Sequence, residues 1–300
     1  MLTNYIKKIT GEKVKGAFIG IDLGTTYSSV SYLDETGRPQ IIRDSEGSNL
    51  IPSCIEFVDN EAQVGESARR NLGVPNRDVL ARFKRDMGTS TKYKIKGAEM
   101  TPTDCSALIL KKLLQVAQAH LGEGEVGEAV VTIPANFTNE ARTETLTAAK
   151  LAGLEVKNIV NEPTAAAIYY VFQSGGELSG HYAVYDLGGG TFDISIIKVE
   201  NQDITVLSSE GVKKLGGDDF DEALQKIVQK KHKDATGEDV GADIYTKTDS
   251  EEDKKSLSKR KDVNVRIGKS NHTITRDEFE QEISSLLAQT EMLCESAIEE

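Results

Sequence analysis

Two short stretches combine carboxylates, hydroxyls and glycines at spacings suited to holding a phosphate. The first reads Phe18-Ile19-Gly20-Ile21-Asp22-Leu23-Gly24-Thr25-Thr26-Tyr27-Ser28, and the second reads Ala183-Val184-Tyr185-Asp186-Leu187-Gly188-Gly189-Gly190-Thr191-Phe192-Asp193. In each, an apolar run ends in Asp-Leu-Gly, hydroxyls follow, and a second apolar stretch begins. That stretch alternates through Val30 and Tyr32 in the first and includes Ile194, Ile196 and Ile197 in the second. Glycine permits backbone conformations closed to other residues and lets a ligand lie against the main chain. Backbone N–H groups at such a turn, with Asp186 and Asp193 on either side, suit a phosphate whose charge is shared with a divalent cation. Alone, either stretch also reads as an ordinary glycine-rich hairpin turn. Together they make a long-range internal duplication with Asp22 and Asp186 at equivalent points, and they predict two related α/β lobes presenting their hairpins to a shared cleft.

The elements that must hold these hairpins follow from periodicity. Strands are expected at Ala17–Asp22, at 28–33 after the first loop, from Gln40 onward, and at 55–58. The basic run over 65–88, with Arg69, Arg70, Arg77, Arg82, Lys84 and Arg85, reads for the most part as a solvated helix face. Residues 103–121 have helical spacing, with Leu110, Leu113, Leu114 and Ala117 on one side and Gly122 as a stop. A strand over 129–133 ends at Pro134. A helix capped by Thr138 runs to about Ala152, and a strand is expected over 154–160. Pro163 suits the first turn of a helix reaching Phe172. Residues 174–180 read as the crossing into the second lobe. There Ala183-Val184-Tyr185 reads as a buried strand, followed after the hairpin by a strand at 204–207 and a helix through Val228. The charged run 230–261 gives little period. Val263 to Ile267 alternates, and Thr275 with Glu278 forms a capping box opening a helix with Phe279, Ile283, Leu286 and Leu287 on one side. Glu299 and Glu300 lie at the negative end of that helix, where acidic charge is unfavourable. Fewer positions follow Asp186 than separate it from Asp22, so the chain is expected to stop inside its second lobe.

The net charge of −12 over 300 residues argues against a nucleic-acid or membrane-surface protein, since phosphate backbones demand a basic face. Cys54, Cys105 and Cys294 are few, odd in number and far apart, which fits neither a disulfide framework nor a metal cluster but incidental thiols in a reducing compartment. The polar, Lys-containing start over 1–16 is no secretory signal, and no stretch is long and apolar enough to span a bilayer. A cytoplasmic protein with a short leader is the expectation.

With both hairpins in view, residues 17–300 resemble the nucleotide-binding domain of the 70-kDa heat-shock chaperones, the DnaK-like family within the actin-like ATPases. Ile133-Pro134-Ala135-Asn136-Phe137, Asn161-Glu162-Pro163-Thr164-Ala165-Ala166-Ala167 and Leu215-Gly216-Gly217-Asp218-Asp219-Phe220-Asp221 carry the resemblance alongside the two phosphate loops. It implies an α/β, actin-like ATPase (ribonuclease H-like) fold, with two duplicated lobes at 17–178 and 179–300 around a nucleotide cleft. The second lobe would be incomplete, and there would be no peptide-binding domain.

The resemblance further implies ATP or ADP with Mg2+ and K+. Asp22 and Asp186 would hold hydrated magnesium, and Asp193 would stand near the ion cluster. Gly24, Thr25, Thr26, Tyr27, the backbone of Gly188, Gly189, Gly190 and Thr191, and Gly216 and Gly217 would line the nucleotide, with Thr191 orienting the water or the γ-phosphate. Lys84 matches the family's catalytic lysine, against its reading as one surface lysine among several. Glu162 matches the glutamate that places the water or accepts its proton, and is equally a helix-start carboxylate. Pro134 and Arg142 match residues linked to interlobe signalling, although Pro134 is also a plain strand terminator. Glu251, Lys254, Lys255 and Ser258 match the adenosine helix. Lys255 replaces a common arginine, which weakens stacking on the base, and Lys213 and Lys214 depart from the pattern before Leu215. The family's second adenosine loop, a Gly-Gly-x-Ser/Thr-Arg motif, does not follow Gly217. The implied partners are a J-domain cochaperone, a nucleotide exchange factor and, through a domain outside this chain, client proteins. Nucleic acid and membrane are not implied. The implied activity is slow ATP hydrolysis driving a chaperone cycle. A nucleotide-sensing module with little turnover, a sugar kinase and an actin-like filament protein are the alternatives, in that order.

Overall fold

The computed structural model of the chain describes residues 16–59, 61–96, 98–156, 158–175, 178–200, 203–241 and 243–300. The expected leader lies outside the described residues except for Gly16, as do 176 and 177 of the expected crossing.

Strand β1 (Ala17–Asp22) returns antiparallel as β2 (Tyr27–Leu33), with Asp22 opposite Ser29. Period-two alternation sends Ile19, Ile21 and Val30 inward, each 1% exposed. The short strands β3 (Pro39–Ile41) and β4 (Ile51–Pro52) both pair with β2. Next, β5 (Cys54–Val58), β6 (Glu61–Val64) and β7 (Val79–Ala81) form a small sheet centred on β5, with one helical turn, α1 (Glu66–Arg69), between the last two. A 3-10 turn, Phe83–Asp86, and a hairpin, β8 (Tyr93–Ile95) with β9 (Ala98–Met100), lead into α2 (Pro102–Leu121). That helix begins on a Thr101/Asp104 capping box and ends at Gly122, whose φ of 110° suits glycine.

The strand β10 (Val126–Ile133) runs parallel to β1, and the helix α3 (Asn139–Leu151), capped by the Thr138 hydroxyl, carries the chain to β11 (Ile159–Asn161), parallel to β10. The sheet order is β11-β10-β1-β2-β3, with β4 beside β2. Its core packs Ile19, Ile21, Leu23 and Val30 with Leu110, Leu113, Ala148 and Ala149. The strand expected over 154–160 shrinks to β11. Its first residues close the helix instead: Gly153 adopts a φ of 83° and Leu154 donates its N–H to the Ala149 carbonyl.

After α4 (Glu162–Gln173), an antiparallel meander forms from β12 (Gly180–Leu187), β13 (Phe192–Glu200) and β14 (Asp203–Val212). The run Ala183-Val184-Tyr185 is not buried as expected. Among the described residues β12 pairs with β13 alone, and Tyr185 is 50% exposed. The charged run is more regular than its sequence pattern indicates. The helix α5 (Gly217–Thr236) continues well beyond Val228 to Gly237, and α6 (Lys247–Leu257) opens on a Thr246/Asp249 capping box. The hairpin β15 (Asp262–Ile267) and β16 (Ser270–Thr275) precedes α7 (Arg276–Glu282), which begins at the expected Thr275/Glu278 box. The final helix is not continuous. It breaks at Ile283 because that side chain packs with Phe279, Val263 and Val265, while α8 (Ser284–Glu299) turns to pack Ala297 with Phe192, Ile194 and Leu215. Leu287, expected on the apolar side, is exposed. Cys54, Cys105 and Cys294 are free thiols.

Candidate functional site

The two Asp-Leu-Gly hairpins meet tip to tip. In the first, Ser28 and Ser53 brace the loop: Gly24 donates its N–H to Ser28 Oγ at 3.1 Å, and Ser53 Oγ donates to the Gly24 carbonyl at 2.8 Å. In the second, Gly188 N–H reaches the Thr191 carbonyl at 3.0 Å. The start of α5 then locks onto that turn, with Gly217 N–H on the Gly188 carbonyl at 2.9 Å and Asp218 N–H on the Gly189 carbonyl at 2.7 Å. The glycines are required by approach. A Cβ on Gly189 would overlap Thr26 Oγ1, and one on Gly190 would lie 2.5 Å from both Thr25 Cγ2 and Arg85 Nε. Gly216 backs directly onto the Gly189 carbonyl.

Beside the tips lies a dense charge cluster. Lys84, 6% exposed on the 3-10 turn, places Nζ 2.7 Å from Glu162 Oε1 at the first residue of α4. Phe137 lies 5.8 Å below the ammonium. Four carboxylates face this one cation: Glu162, Asp22, Asp186 and Asp193. Burial opposes the lysine's charge, yet Glu162, Asp22 and Asp193 outweigh it and hold Lys84 protonated above its ordinary range. The same crowding raises the acids. Burial, then Glu162 and Asp186, push Asp193 up to about 7, while burial and Asp22 raise Asp186. Burial also raises Glu162, against the pull of Lys84. Thr132 Oγ1, which sequence reading missed, donates to Asp22 Oδ1 at 3.0 Å. Arg142 clamps the neighbouring Pro134–Phe137 turn by donating to the Ala135 and Phe137 carbonyls and to Asn161 Oδ1.

On the other side of the tips, Glu251 of α6 gathers Arg69, Lys255 and Tyr27. Arg69 Nη2 bonds its Oε2, Lys255 Nζ lies 2.7 Å from Oε1, and the Tyr27 hydroxyl donates to Oε1 at 3.2 Å. The Arg69 guanidinium also stacks 4.9 Å over the Tyr27 ring. Burial would raise the Glu251 carboxyl, but Lys255 and Arg69 hold it below its usual range. Burial, reinforced by Glu251, pushes Tyr27 up to about 12. Lys254 is committed elsewhere, to Asp221 at 2.6 Å and to the Gly217 carbonyl at 2.8 Å. Ser258 sits exposed at the end of α6, bonded to its own helix, and the structure does not bring it into the wall.

The basic run 65–88 is therefore solvated only in part: Arg70 and Arg77 are exposed, while Arg69, Arg82, Lys84 and Arg85 turn inward. Arg69 pairs with Glu251, Arg82 with Asp218 at 2.5 Å, Arg85 with Asp219 at 3.3 Å and Arg77 with Glu56 at 2.5 Å. Three of these four partners lie on α5 or α6, beyond the reach of any local pattern.

The donor set fits a phosphate with a cation beside it. Thr26 Oγ1 and Arg85 Nε are buried at the tips without hydrogen-bond partners, which suits an anion, and Asp193 Oδ1 is buried likewise, which suits a cation. Among the described residues no three His, Cys, Asp or Glu side chains converge to hold a metal directly. Asp22, Asp186 and Asp193 share a field rather than forming a cage, an arrangement suited to a cation that keeps its waters. Two small chambers open beside the tips. One chamber of about 20 Å³ lies among Thr26, Arg69, Asp221 and Glu251, and another of about 10 Å³ lies among Lys84, Asn136, Thr191 and Asp193.

A protein-family model described as Hsp70 protein matches residues 18–95 and 89–300, nearly the whole chain and both hairpins with it.

Proposed function

The chain belongs to the Hsp70 family, with its actin-like ATPase fold and chaperone-type ATP-binding module, and on that premise we propose that it binds Mg·ATP between its two hairpins and hydrolyses it slowly to ADP and phosphate. The observation that carries this reading is the trio of buried, unpartnered atoms at the hairpin tips, two donors and one acceptor, next to the Lys84–Glu162 pair.

In this reading the half over 17–178 and the half over 179–300 close on the nucleotide from either side. Thr25, Thr26 and the backbone of Gly188 to Thr191 grip the phosphates, with Gly24, Gly216 and Gly217 keeping the main chains close. Asp22 and Asp186 would hold a hydrated magnesium, which when bound would supply charge neutralisation at the phosphates, and Asp193 would hold a potassium beside them. Lys84 stands against the γ-phosphate. Glu162, held by Lys84, orients the attacking water and takes its proton as the P–O bond to the leaving ADP breaks. Thr191 orients the same water or the γ-phosphate. Glu251 and Tyr27 face the ribose and base side, with Lys254 and Lys255 beside them. The chaperone context supplies a J-domain cochaperone and an exchange factor in the cytoplasm, with clients held by a further domain. No helix among the described residues is long and apolar enough to cross a membrane.

A second reading, a nucleotide-sensing module with little turnover, is favoured by one observation. Glu251 is already engaged by Arg69, Lys255 and Tyr27, so the adenosine wall competes with its own ion pairs. Single-turnover hydrolysis of Mg·ATP separates the two. The ATPase reading expects Lys84→Ala and Glu162→Gln each to slow the step on the order of 100-fold or more, consistent with loss of a positioned acid–base or electrostatic group, while nucleotide affinity changes little. Unchanged single-turnover rates would remove both residues from the chemistry. A parent chain that binds ATP without cleaving it would establish the sensing module.

A further inference from the structure

Lys84 reaches its place on a turn that touches both halves of the molecule. One side of the turn is set in the core: Phe83 is 1% exposed and Met87 3%, and Asp86 accepts a bond from the Tyr93 hydroxyl at 2.5 Å. The other side carries Arg82, two residues before Lys84, and Arg85, one after it. Arg82 holds a left-handed backbone conformation, φ 64°, which a long side chain seldom adopts and which persists only where its surroundings enforce it. Its guanidinium meets Asp218 at 2.5 Å, an ion pair by distance without the alignment of a hydrogen bond, and Asp218 is 8% exposed. Arg85 donates to Asp219 at 3.3 Å, and its Nε lies against Gly190. These two aspartates open α5, where the N–H groups of Gly217 and Asp218 are bonded to the carbonyls of Gly188 and Gly189. An unbroken chain of contacts thus runs from the Lys84 turn, through two consecutive ion pairs, to the glycine-rich hairpin.

We propose that Arg82 and Arg85 are positioning residues: paired with Asp218 and Asp219, they register the Lys84 turn against the Gly188–Gly190 tip, so that the lysine is delivered to the phosphate site by closure of the two halves. The proposal rests on the ATPase reading for its purpose, but the registration exists in the chain without nucleotide and is measured there. When the halves part, both pairs break, the turn loses its partner, and Lys84 keeps Glu162 but loses its fixed distance to the hairpin. The two pairs act on one turn from neighbouring positions, so losing both has a larger effect than losing either.

The test is amine labelling of the nucleotide-free chain, read peptide by peptide by mass spectrometry, with exposed Lys213 as internal reference. In Asp218→Asn/Asp219→Asn, and independently in Arg82→Gln/Arg85→Gln, Lys84 is expected to label roughly tenfold faster than in the parent at an unchanged Lys213 rate, as for a buried group whose fixing contacts are removed. Arg82→Lys/Arg85→Lys should restore most of the protection. The aspartate variants also remove favourable charge from the start of α5. If they lower the thermal midpoint, the arginine variants decide the matter from the other element. In single turnover the Arg82→Gln chain, whose guanidinium meets Asp218 and not the tip, should cleave ATP several-fold more slowly with affinity for Mg·ADP within about threefold of the parent, the split expected when positioning rather than binding is lost. Lys84 labelling within twofold of the parent in the arginine variants would overturn the proposal. A parent chain that binds no nucleotide would overturn the ATPase reading while leaving the labelling result to stand.

Discussion

The β1–β2 hairpin and the β12–β13 hairpin share a grammar and differ in surroundings. Each runs an apolar strand into Asp-Leu-Gly and back, and each is the leading pair of an antiparallel meander. On the far edge of β1 lies β10 in parallel register, and Ile19 and Ile21 are 1% exposed. On β12 the described residues provide no second neighbour, and Tyr185 and Leu187 are 50% and 36% exposed. The tips are nonetheless alike, each an Asp-Leu-Gly turn followed by threonine. The contrast teaches that the tip is set by local chemistry, through glycines that tolerate contact and carboxylates at the strand ends, whereas burial of the strand is set by whatever pairs beside it. Function at the tip and stability of the strand can therefore be changed separately.

Substitutions that fall unequally on the two hairpins sharpen this contrast. Ile21→Ala, in the first, should cost roughly 2–5 kcal/mol of unfolding free energy, the range for emptying a fully buried aliphatic site, read by urea denaturation. A cost below about 1 kcal/mol would mean that β1 is not the better supported strand. Asp193→Asn, at the second tip, should act through pH. Asp193 keeps its proton up to about pH 7 in the folded chain, against about 4 when unfolded. The folded state therefore binds more protons across that window, and stability falls as pH rises from 4 to 7 and then levels. The asparagine removes that slope, so the variant gains on the parent by on the order of 2 kcal/mol between pH 5 and pH 8. An identical pH profile in both chains would refute the assigned environment. Tyr185→Ala, on the exposed strand of the second hairpin, should change stability by less than about 1 kcal/mol. A core-sized loss there would erase the distinction.

What the sequence carries is what neighbours along the chain determine. The two Asp-Leu-Gly turns, the Thr138 cap, the Thr275/Glu278 box and the long helices at 102–121 and 139–151 are each legible because a cap, a stop and a period lie within one stretch. The strands of two to four residues at β4 and β6 to β9 give too little period to read. The arginines of the basic run look solvated because their partners lie far along the chain: Arg85 meets Asp219 across 134 positions and Arg69 meets Glu251 across 182. Ser53 and Thr132 escape the sequence pattern for the same reason, since a lone hydroxyl acquires meaning only from the distant loop or carboxylate it faces. Ser258 shows the converse, a residue that a motif would place at the site while the local helix keeps it on its own carbonyl.

The most direct measurement is titration calorimetry of Mg·ADP into the chain and into two single variants, Asp22→Asn and Asp186→Asn, one for each hairpin. If the tips form one nucleotide site, the parent binds a single equivalent and both variants lose affinity by similar factors, on the order of tenfold or more for a charged group supporting a bound cation. Binding that survives intact in either variant would contradict a site shared by the two hairpins.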